Sequence, residues 1–190
     1  MMAGTQLLGQ VALVTGAGDE VGIGFASARM LASHGARVFL TSTTDRCHAR
    51  AQTLLQDGFD VLAMPADLST VEDLARLLVR VRAEFGAISL LVNNAGMTSV
   101  NDPMREPQLL HEMDFQQWTH TVDRNLGLTF AVTAAVLPDM LALGHGRIVN
   151  VASTTGVTGA MMGEAAYAAA KAGIVGLTRA TALEYAKHGI

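Results

Sequence analysis

The chain has 190 residues, of which 50% are hydrophobic and 16% are charged, and its formal net charge is −4. This composition is typical of one folded globular domain and excludes a disordered chain, and the absence of a basic stripe argues against nucleic acid as a partner. The single cysteine, Cys47, excludes an internal disulfide and favours a reducing, cytoplasmic setting. No apolar run approaches the roughly 20 residues of a membrane span, so we expect no membrane partner.

Short apolar runs alternate with longer helical segments along the chain. In order, the predicted elements are strand 10–15, helix 24–35, strand 36–42, helix 45–58, strand 59–67, helix 69–86, strand 87–96, helix 114–144, strand 146–153 and helix 164–189. Regular β-α alternation predicts a doubly wound α/β fold, with a parallel sheet and helices on both faces. Such sheets bind ligands beyond the carboxyl ends of their strands, so the turns after the strands are the informative segments.

The turn after the first strand belongs to the glycine-rich stretch LVTGAGDEVGIG, residues 13–24. Phosphate groups bind where bare backbone N–H groups lead into a helix N-terminus, and Gly16, Gly22 and Gly24 suit such a turn. Five residues separate Gly16 from Gly22, which is two more than the short dinucleotide pattern allows. On this motif alone, a glycine turn that serves only tight packing stays a possible interpretation.

The last predicted helix carries a second candidate motif, YAAAK. Its spacing places Tyr167 and Lys171 four residues apart on one helical face. A free phenol holds its proton too tightly for acid–base work at neutral pH, and a nearby ammonium stabilises the phenolate form. Ser153, at the end of the preceding strand, offers a hydroxyl for a carbonyl or alcohol oxygen. The alternatives are a strand-end cap for Ser153 and an ordinary amphipathic-helix residue for Tyr167.

Six segments in register carry a family resemblance. They are TGAG…GIG (15–24), ADL (66–68), NNAG (93–96), N followed by LG (125–127), IVNVAS (148–153) and YAAAK (167–171). With these segments the chain resembles the classical short-chain dehydrogenase/reductase family along essentially its whole length, and the bacterial 3-oxoacyl-carrier-protein reductases in particular. The resemblance implies a Rossmann-type sheet with strand order 3-2-1-4-5. It also implies an oxidoreductase that transfers a hydride between NAD(P) and a carbonyl or alcohol substrate, for which a 3-oxoacyl thioester is one candidate.

The resemblance assigns catalytic roles to four residues. Tyr167 would be the general acid/base for the substrate oxygen, and Ser153 would orient and polarise that oxygen. Lys171 would stabilise the phenolate and bind the nicotinamide ribose hydroxyls. Asn125, within the predicted helix 114–144, would hold a water that links Lys171 to bulk solvent, a role that fits the need of a buried amide for hydrogen bonds.

The same resemblance implies a cofactor site along the turns. Asp67 would accept a hydrogen bond from the adenine amino group, with help from the Leu68 N–H, although Asp67 also suits a helix cap. Asn93, Ala95 and Gly96 would line the adenine ribose. The full cofactor set is Gly16, Gly22, Ile23, Gly24, Ser42, Thr43, Asp67, Leu68, Asn93, Ala95, Gly96, Tyr167 and Lys171, and no metal site is expected.

The end of the second strand bears on the choice between NADP(H) and NAD(H). NAD-dependent members usually place an acid there for the ribose 2′-hydroxyl, and LTSTTDR has none at 41–44. Ser42, Thr43 and Arg46 could instead receive a 2′-phosphate, while Asp45 lies late and suits a helix cap. This end of the strand favours NADP(H) over NAD(H).

Two departures from the family pattern concern loop lengths. The first loop is longer than usual and holds Asp19 and Glu20, which count against NADP(H) and would repel a pyrophosphate, so we expect both in solvent. The gap between Ser153 and Tyr167 is one residue longer than the commonest family spacing, and we expect the extra residue to bulge at 160–163, in the substrate loop.

Two alternatives to a carbonyl reductase are a non-catalytic nucleotide-binding sensor or scaffold and an enoyl reductase. The complete Ser-Tyr-Lys-Asn set argues against the sensor. Enoyl reductases usually have a wider Tyr-to-Lys gap than the four residues found here. Segments 98–114 and 154–163 are expected to line an apolar pocket for a small-molecule or acyl-thioester substrate.

Assembly and chain extent complete the expectations. Helices 114–144 and 164–189 are predicted to form a homodimer or homotetramer interface. Residues 1–190 are expected to form a single dinucleotide-binding and catalytic domain that is C-terminally incomplete, because the sequences it resembles continue into a sixth and a seventh strand. In that case strand 146–153 and the Ile174 side of the last helix should expose an apolar strip, since an open sheet edge lacks a neighbour.

Overall fold

The computed structural model of the chain describes residues 6–96 and 108–190. Within them, five parallel strands form one sheet in the order β3-β2-β1-β4-β5. The strands are β1 Val11–Val14, β2 Arg37–Leu40, β3 Val61–Ala63, β4 Leu90–Asn93 and β5 Arg147–Asn150. The predicted α/β class, the parallel sheet and the strand order 3-2-1-4-5 are confirmed.

Helices follow every strand, as the alternation predicts. They are α1 Ile23–Ser33, α2 Arg46–Gln56, α3 Val71–Phe85, α4 Phe115–Val122, α5 Leu128–Leu143, α6 Thr154–Val157 and α7 Ala165–Tyr185. The helix predicted over 114–144 is two helices, α4 and α5, joined by a π-helical turn at Asp123–Gly127. The short α6 and a closing 3-10 turn at Ala186–His188 are further additions to the predicted elements.

Alternate strand residues point to opposite faces of the sheet and so feed two core clusters. Leu13 of β1 packs with α3 and α5, whereas its neighbour Val14 packs with α1 and α2. Phe39 and Leu40 of β2 divide in the same way. Full burial of each such side chain stabilises the fold by about 1.5–3 kcal/mol. The central strands β1 and β4 are therefore covered on both faces, and their carboxyl ends remain open to ligands.

The helix starts follow from local sequence. Thr70 precedes α3 and its hydroxyl accepts a hydrogen bond from the Asp73 N–H. Asp114 precedes α4 and forms a reciprocal capping box with Gln117. Each cap satisfies backbone donors that the first helical turn leaves without a partner. Asp45 precedes α2 but makes no side-chain cap bond there.

The expected apolar strip at the end of the sheet is only partly present. Within the described residues, β5 forms one edge of the sheet, and Val149 is 57% exposed. Ile174 contradicts the expectation, because its side chain on α7 is only 1% exposed. The α7 face that carries it is therefore packed against the body of the protein.

One helical stretch passes a membrane-span test that the sequence argument had excluded. Phe115–Leu143 is long and apolar enough to cross a membrane by length and composition, although core helices of soluble proteins pass the same test. Here Val132, Val136 and Met140 of α5 pack into the core cluster beside the sheet. Core packing therefore accounts for part of the apolar character of this stretch, since 33% of its apolar window is buried.

Candidate functional site

A cleft of about 460 Å³ opens at the carboxyl edge of the sheet. Its walls are the turns after the first four strands, together with the π-helical turn and the start of α5. Nine of the residues predicted to bind the cofactor line it: Gly16, Gly22, Ile23, Ser42, Thr43, Asp67, Leu68, Ala95 and Gly96. The structure therefore brings most of the predicted set to one place.

Two positions of the first turn need glycine, because neighbouring atoms lie too close to leave room for a Cβ. Gly16 has φ +67°, and a Cβ there would lie 2.8 Å from the Ala95 nitrogen. A Cβ on Gly24 would lie 2.7 Å from the Gly16 carbonyl oxygen and from Asn94 Nδ2. Real Cβ atoms do not tolerate such distances, so both positions need glycine. Gly24 is buried beneath the turn and does not line the cleft.

Thr15 and Asn94 lock this turn to the turn after β4, and neither was among the predicted site residues. The Thr15 hydroxyl oxygen accepts hydrogen bonds from the backbone N–H groups of Asn94 (3.1 Å) and Ala95 (2.9 Å). In return, Asn94 Nδ2 donates to the Gly16 carbonyl oxygen at 2.9 Å. Both residues lie inside quoted motifs, TGAG and NNAG, and this was the available signal.

The turn then enters α1 at the cleft, which Gly22 and Ile23 line. Gly22 is the N-cap residue, has an extended backbone and provides no side-chain cap. Helix N-termini of this kind favour anions. Asp19 and Glu20 are exposed, as expected, although Asp19 also borders the cleft. Glu20 pairs with Arg50 of α2 at 2.8 Å.

The turn after β2 forms the far wall. Ser42 is buried, and its hydroxyl donates to the Thr44 carbonyl oxygen at 2.7 Å. Thr43 is exposed in the cleft wall. Arg46, on the first turn of α2, donates through Nε to the Thr44 hydroxyl at 3.1 Å. A cation and two hydroxyls therefore share this corner of the cleft.

Asp67 forms a local turn with Ser69 and lines the cleft, whereas the residue that caps α3 is Thr70 and not Asp67. Its carboxylate accepts hydrogen bonds from the Ser69 hydroxyl at 2.6 Å and from the Ser69 N–H at 3.0 Å. These bonds, the hydroxyl bond first, hold the pKa of Asp67 below its ordinary value. The carboxylate is therefore an acceptor over the whole neutral range.

Asn93, which was expected to line the adenine ribose together with Ala95 and Gly96, is not among the residues that line the cleft. The side chain is buried on the other side of the strand end, where Nδ2 donates to the Thr133 hydroxyl at 2.9 Å and to Asn150 Oδ1 at 2.8 Å. The backbone carbonyl oxygen of Asn93 accepts a hydrogen bond from the Val151 N–H. Asn93 therefore ties β4 to β5 and α5, and Asn94 is the residue of this pair that faces the cleft.

Lys171 is buried on α7, directly behind the cleft. Its Nζ donates to the Val151 carbonyl oxygen at 3.1 Å and lies 5.6 Å from the centroid of the Tyr167 ring. Burial lowers the pKa of this amino group. The ring of Tyr167 is half-buried, so one ammonium and one phenol are adjacent at the sheet edge.

Asn125 reaches the same point from the π-helical turn. It is 1% exposed, and its Nδ2 donates to the Thr121 carbonyl oxygen at 3.0 Å. A Cβ built on Gly96 would lie 3.1 Å from Asn125 Oδ1 and 3.4 Å from Lys171 Nζ. The turn after β4, the π-helical turn and α7 therefore meet at Gly96, which has φ +137° and no side chain to separate them.

Ser153 is brought to α7 by the turn that it caps. Its Oγ accepts a hydrogen bond from the Thr155 N–H at 3.2 Å, which realises the strand-end cap. Gly156, at φ +94°, packs so closely that any Cβ would collide with the Ala168 carbonyl group. Ser153 therefore lies at the start of a turn that packs against the backbone of α7 at Ala168, the residue after Tyr167.

The two predicted substrate segments are joined by a hydrogen bond from the Gln108 N–H to the Gly163 carbonyl oxygen, at 3.2 Å. Most of the first segment, 98–107, lies outside the described residues. In the second, residues 160–162 are exposed and Gly163 has φ +78°. No group of three or more His, Cys, Asp or Glu side chains that could hold a metal is found in 6–96 and 108–190.

Comparison with known proteins agrees with this geometry. The profile of the family described as short chain dehydrogenase matches residues 10–190. The chain belongs to the short-chain dehydrogenase family. It is therefore an NAD(P)-dependent oxidoreductase. The family assignment confirms the resemblance inferred from the motifs and gives no support to a non-catalytic sensor.

This short-chain dehydrogenase is similar to enzymes that are named for different activities. It is 38% identical to the 3-oxoacyl-(acyl-carrier-protein) reductase of Escherichia coli over 183 residues, 96% of this chain and 70% of the relative. It is 37% identical to the cis-4-hydroxycyclohexanecarboxylate dehydrogenase of Sinomonas cyclohexanicum, over 95% of this chain and 69% of the relative. A crystal structure described as a short-chain dehydrogenase/reductase from Burkholderia xenovorans matches with a TM-score of 0.86 and 35% identity, over 97% of this chain and 72% of that one.

Proposed function

We propose that this short-chain dehydrogenase is an NADP(H)-dependent carbonyl reductase whose reaction takes place beside Tyr167. The observation that supports this most directly is the meeting of Lys171 Nζ and Asn125 Oδ1 at the side-chain-free position of Gly96. A cofactor in the cleft would have its nicotinamide end there. The bare backbone of Gly16 and the uncapped start of α1 fit its pyrophosphate.

In this proposal the bound nicotinamide supplies or accepts the hydride, and the protein handles the proton. Tyr167 donates its phenolic proton to the substrate oxygen during reduction and recovers it afterwards. Ser153 donates a hydrogen bond to the same oxygen and polarises the carbonyl. Positioned proton transfer of this kind contributes about 10²–10⁴ in rate.

Lys171 supports Tyr167 in two ways. Its ammonium, held by the Val151 carbonyl oxygen, stabilises the phenolate that forms when the proton leaves. It has three donors, so the remaining N–H groups can serve the ribose hydroxyls of the cofactor. Asn125 would hold a water between Lys171 and bulk solvent, so that the proton lost by Tyr167 is replaced.

The preference for NADP(H) is proposed from the far wall of the cleft. Arg46 projects from the first turn of α2 next to Ser42 and Thr43, and a guanidinium with neighbouring hydroxyls matches a 2′-phosphate. Asp19 opposes this preference because its carboxylate also borders the cleft. The proposal requires that the attraction of Arg46 for the 2′-phosphate exceeds the repulsion of that phosphate by Asp19.

The experiment that tests the cofactor assignment compares kcat/KM for NADPH and NADH in the wild-type protein and in Arg46→Ala. NADPH should be preferred by the wild type, and the substitution should lower kcat/KM for NADPH by about tenfold or more with little change for NADH. Equal use of both cofactors by the wild type would refute the NADP(H) assignment.

For the substrate, we propose an apolar carbonyl compound, with a 3-oxoacyl thioester as the first candidate. Leu109, Leu110, Met161 and Met162 present exposed apolar side chains on the two linked substrate segments. A reductase of 3-oxoacyl groups is among the relatives. Consumption of NADPH should be measured with 3-oxoacyl thioesters of increasing chain length and with small polar ketones. Faster turnover of the polar ketones would contradict the proposal.

We further propose a cytoplasmic homodimer or homotetramer that uses α4, α5 and α7. Phe130 on α5 and Leu183 on α7 are exposed apolar side chains, and α7 also presents small residues that allow close helix approach. Light scattering at micromolar protein concentration measures the assembly. A monomer at that concentration would refute the proposed interface.

A further inference from the structure

The longer first loop of this chain forms an ion pair with helix α2. Glu20, near the tip of the loop, reaches across to α2, where its Oε2 lies 2.8 Å from Arg50 Nη1. Glu20 lies in the loop after β1 and Arg50 lies within α2, and neither residue lines the cleft itself. The added loop length is therefore used to reach a partner on α2.

Arg50 is a well-held partner for this loop. Its side chain is only 18% exposed, and its guanidinium lies 5.5 Å from the centroid of the Phe25 ring on α1. A cation that rests on an aromatic ring and is shielded from water is fixed in place before the carboxylate arrives. An ion pair with such a group is less screened than one between two freely moving surface side chains.

The rest of the loop is fixed on either side of Glu20. A Cβ on Gly18 would lie 3.0 Å from Ser42 Oγ, so the loop passes closely over the end of β2. Beyond the tip, the Val21 N–H donates to Asp19 Oδ1 and the Gly22 N–H donates to the Asp19 carbonyl oxygen, both at 3.2 Å. Asp19 and Val21, which flank Glu20, both line the cleft.

We propose that the Glu20–Arg50 ion pair positions this wall of the cofactor cleft, and that Glu20 is a positioning residue for cofactor binding. The inference rests on the proposed placement of the cofactor in the cleft. When the pair is broken, only the contacts on either side of Glu20 hold the Asp19–Val21 segment, so the bound cofactor must complete its ordering, and this ordering lowers affinity. The cost is the same for NADPH and NADH, because the wall moves as a unit whichever cofactor is bound.

The test measures dissociation constants of NADPH and NADH by fluorescence titration of the full chain. Glu20→Gln and Arg50→Gln should each weaken both cofactors by about two- to fivefold, the range of a partly exposed ion pair. The double variant should be no weaker than either single one. The exchanged pair, Glu20→Arg with Arg50→Glu, should recover most of the affinity, while kcat at saturating cofactor should stay unchanged throughout.

A matched control is available on the same aromatic ring. Arg29→Gln removes another guanidinium over Phe25, at 5.1 Å from its centroid, and leaves Glu20 untouched. This variant should bind both cofactors as the wild type does. Equal weakening by Arg29→Gln would show that the ring contact, and not the ion pair, sets the affinity, and would overturn the proposal.

The remaining outcomes separate this inference from the proposed function. Unchanged affinity in Glu20→Gln, or a change in the ratio of NADPH to NADH affinity, would overturn the positioning role. The Arg46→Ala variant, titrated alongside, addresses the cofactor assignment independently. Unchanged NADPH affinity in Arg46→Ala with weakened binding of both cofactors in Glu20→Gln would refute the NADP(H) preference and uphold the ion pair.

Discussion

Asn94 Nδ2 donates a 2.9 Å hydrogen bond to the Gly16 carbonyl oxygen and thereby joins the turn after β4 to the turn after β1. The same amide lies 3.3 Å from the Thr15 carbonyl oxygen. Two adjacent carbonyl groups of the first turn thus depend on one side chain. The shape of the cleft follows from this bond, because both turns line it.

Replacement of Asn94 by Ala should therefore destabilise the protein by about 1–3 kcal/mol, since buried carbonyl groups lose their donor. Urea unfolding measures the effect. Asn94→Asp is the sharper variant, because it places an acceptor against two carbonyl oxygens and should be at least as unstable. A stable Asn94→Asp protein would show that the amide does not hold the turn.

Gly24→Ala should cost about 1–3 kcal/mol of unfolding free energy, because the added Cβ would overlap the Gly16 carbonyl oxygen and Asn94 Nδ2. Gly176→Ala on α7 is the control, as its Cβ would meet nothing within 4 Å. There the change should stabilise the helix by about 0.5–1 kcal/mol. Chemical unfolding measures the free energy of unfolding of both variants. A Gly24→Ala protein as stable as Gly176→Ala would contradict the close approach at Gly24.

The pair Asn93 and Asn94 shows where sequence reasoning about the site stops. The NNAG motif correctly placed both residues at the end of β4. Which of the two side chains faces the cleft depends on the pleat at the last strand residue, and a motif of identical neighbours carries no information on that phase. Asn93 was predicted to line the ribose with Ala95 and Gly96; its amide binds Thr133 and Asn150, and Asn94 is the one of the two neighbours that lines the cleft.

The long helices were predicted closely, but the π-helical turn between α4 and α5 was not. Apolar periodicity and capping residues fix where a helix begins and ends, and α3 and α7 lie within a few residues of their predicted limits. A π-helical turn is a rare single-turn irregularity inside an α-helix, and residue propensities and caps do not mark its position. The sequence therefore predicted Asn125 in a helix, but the turn that aims it at Gly96 required the structure.

Tyr167→Phe should lower turnover by about 10²–10⁴, while the dissociation constant for NADPH stays within a few-fold of the wild type. The hydroxyl handles the proton, and the ring, which packs near Lys171, is retained. Steady-state rates and a fluorescence titration give both quantities. More than a tenth of wild-type activity in this variant would remove Tyr167 from its proposed role.

Lys171→Met should abolish turnover and should also change how stability depends on pH. Burial lowers the pKa of Lys171 below its ordinary 10.5. Below the lowered pKa, both the folded and the unfolded wild-type chains carry the charge, so the folded state bears the full cost of burying it. Between the lowered pKa and 10.5, the folded state gives up the proton first, and that cost disappears.

The stability of the wild type relative to Lys171→Met should therefore rise as the pH increases through this alkaline window. Urea unfolding of both proteins at neutral and at alkaline pH measures the difference. Lys187→Met removes an exposed ammonium and corrects for the change in net charge. A relative stability that is constant with pH, or that falls, would contradict a buried ammonium at position 171, because the sign of the slope depends only on which state binds the proton more weakly.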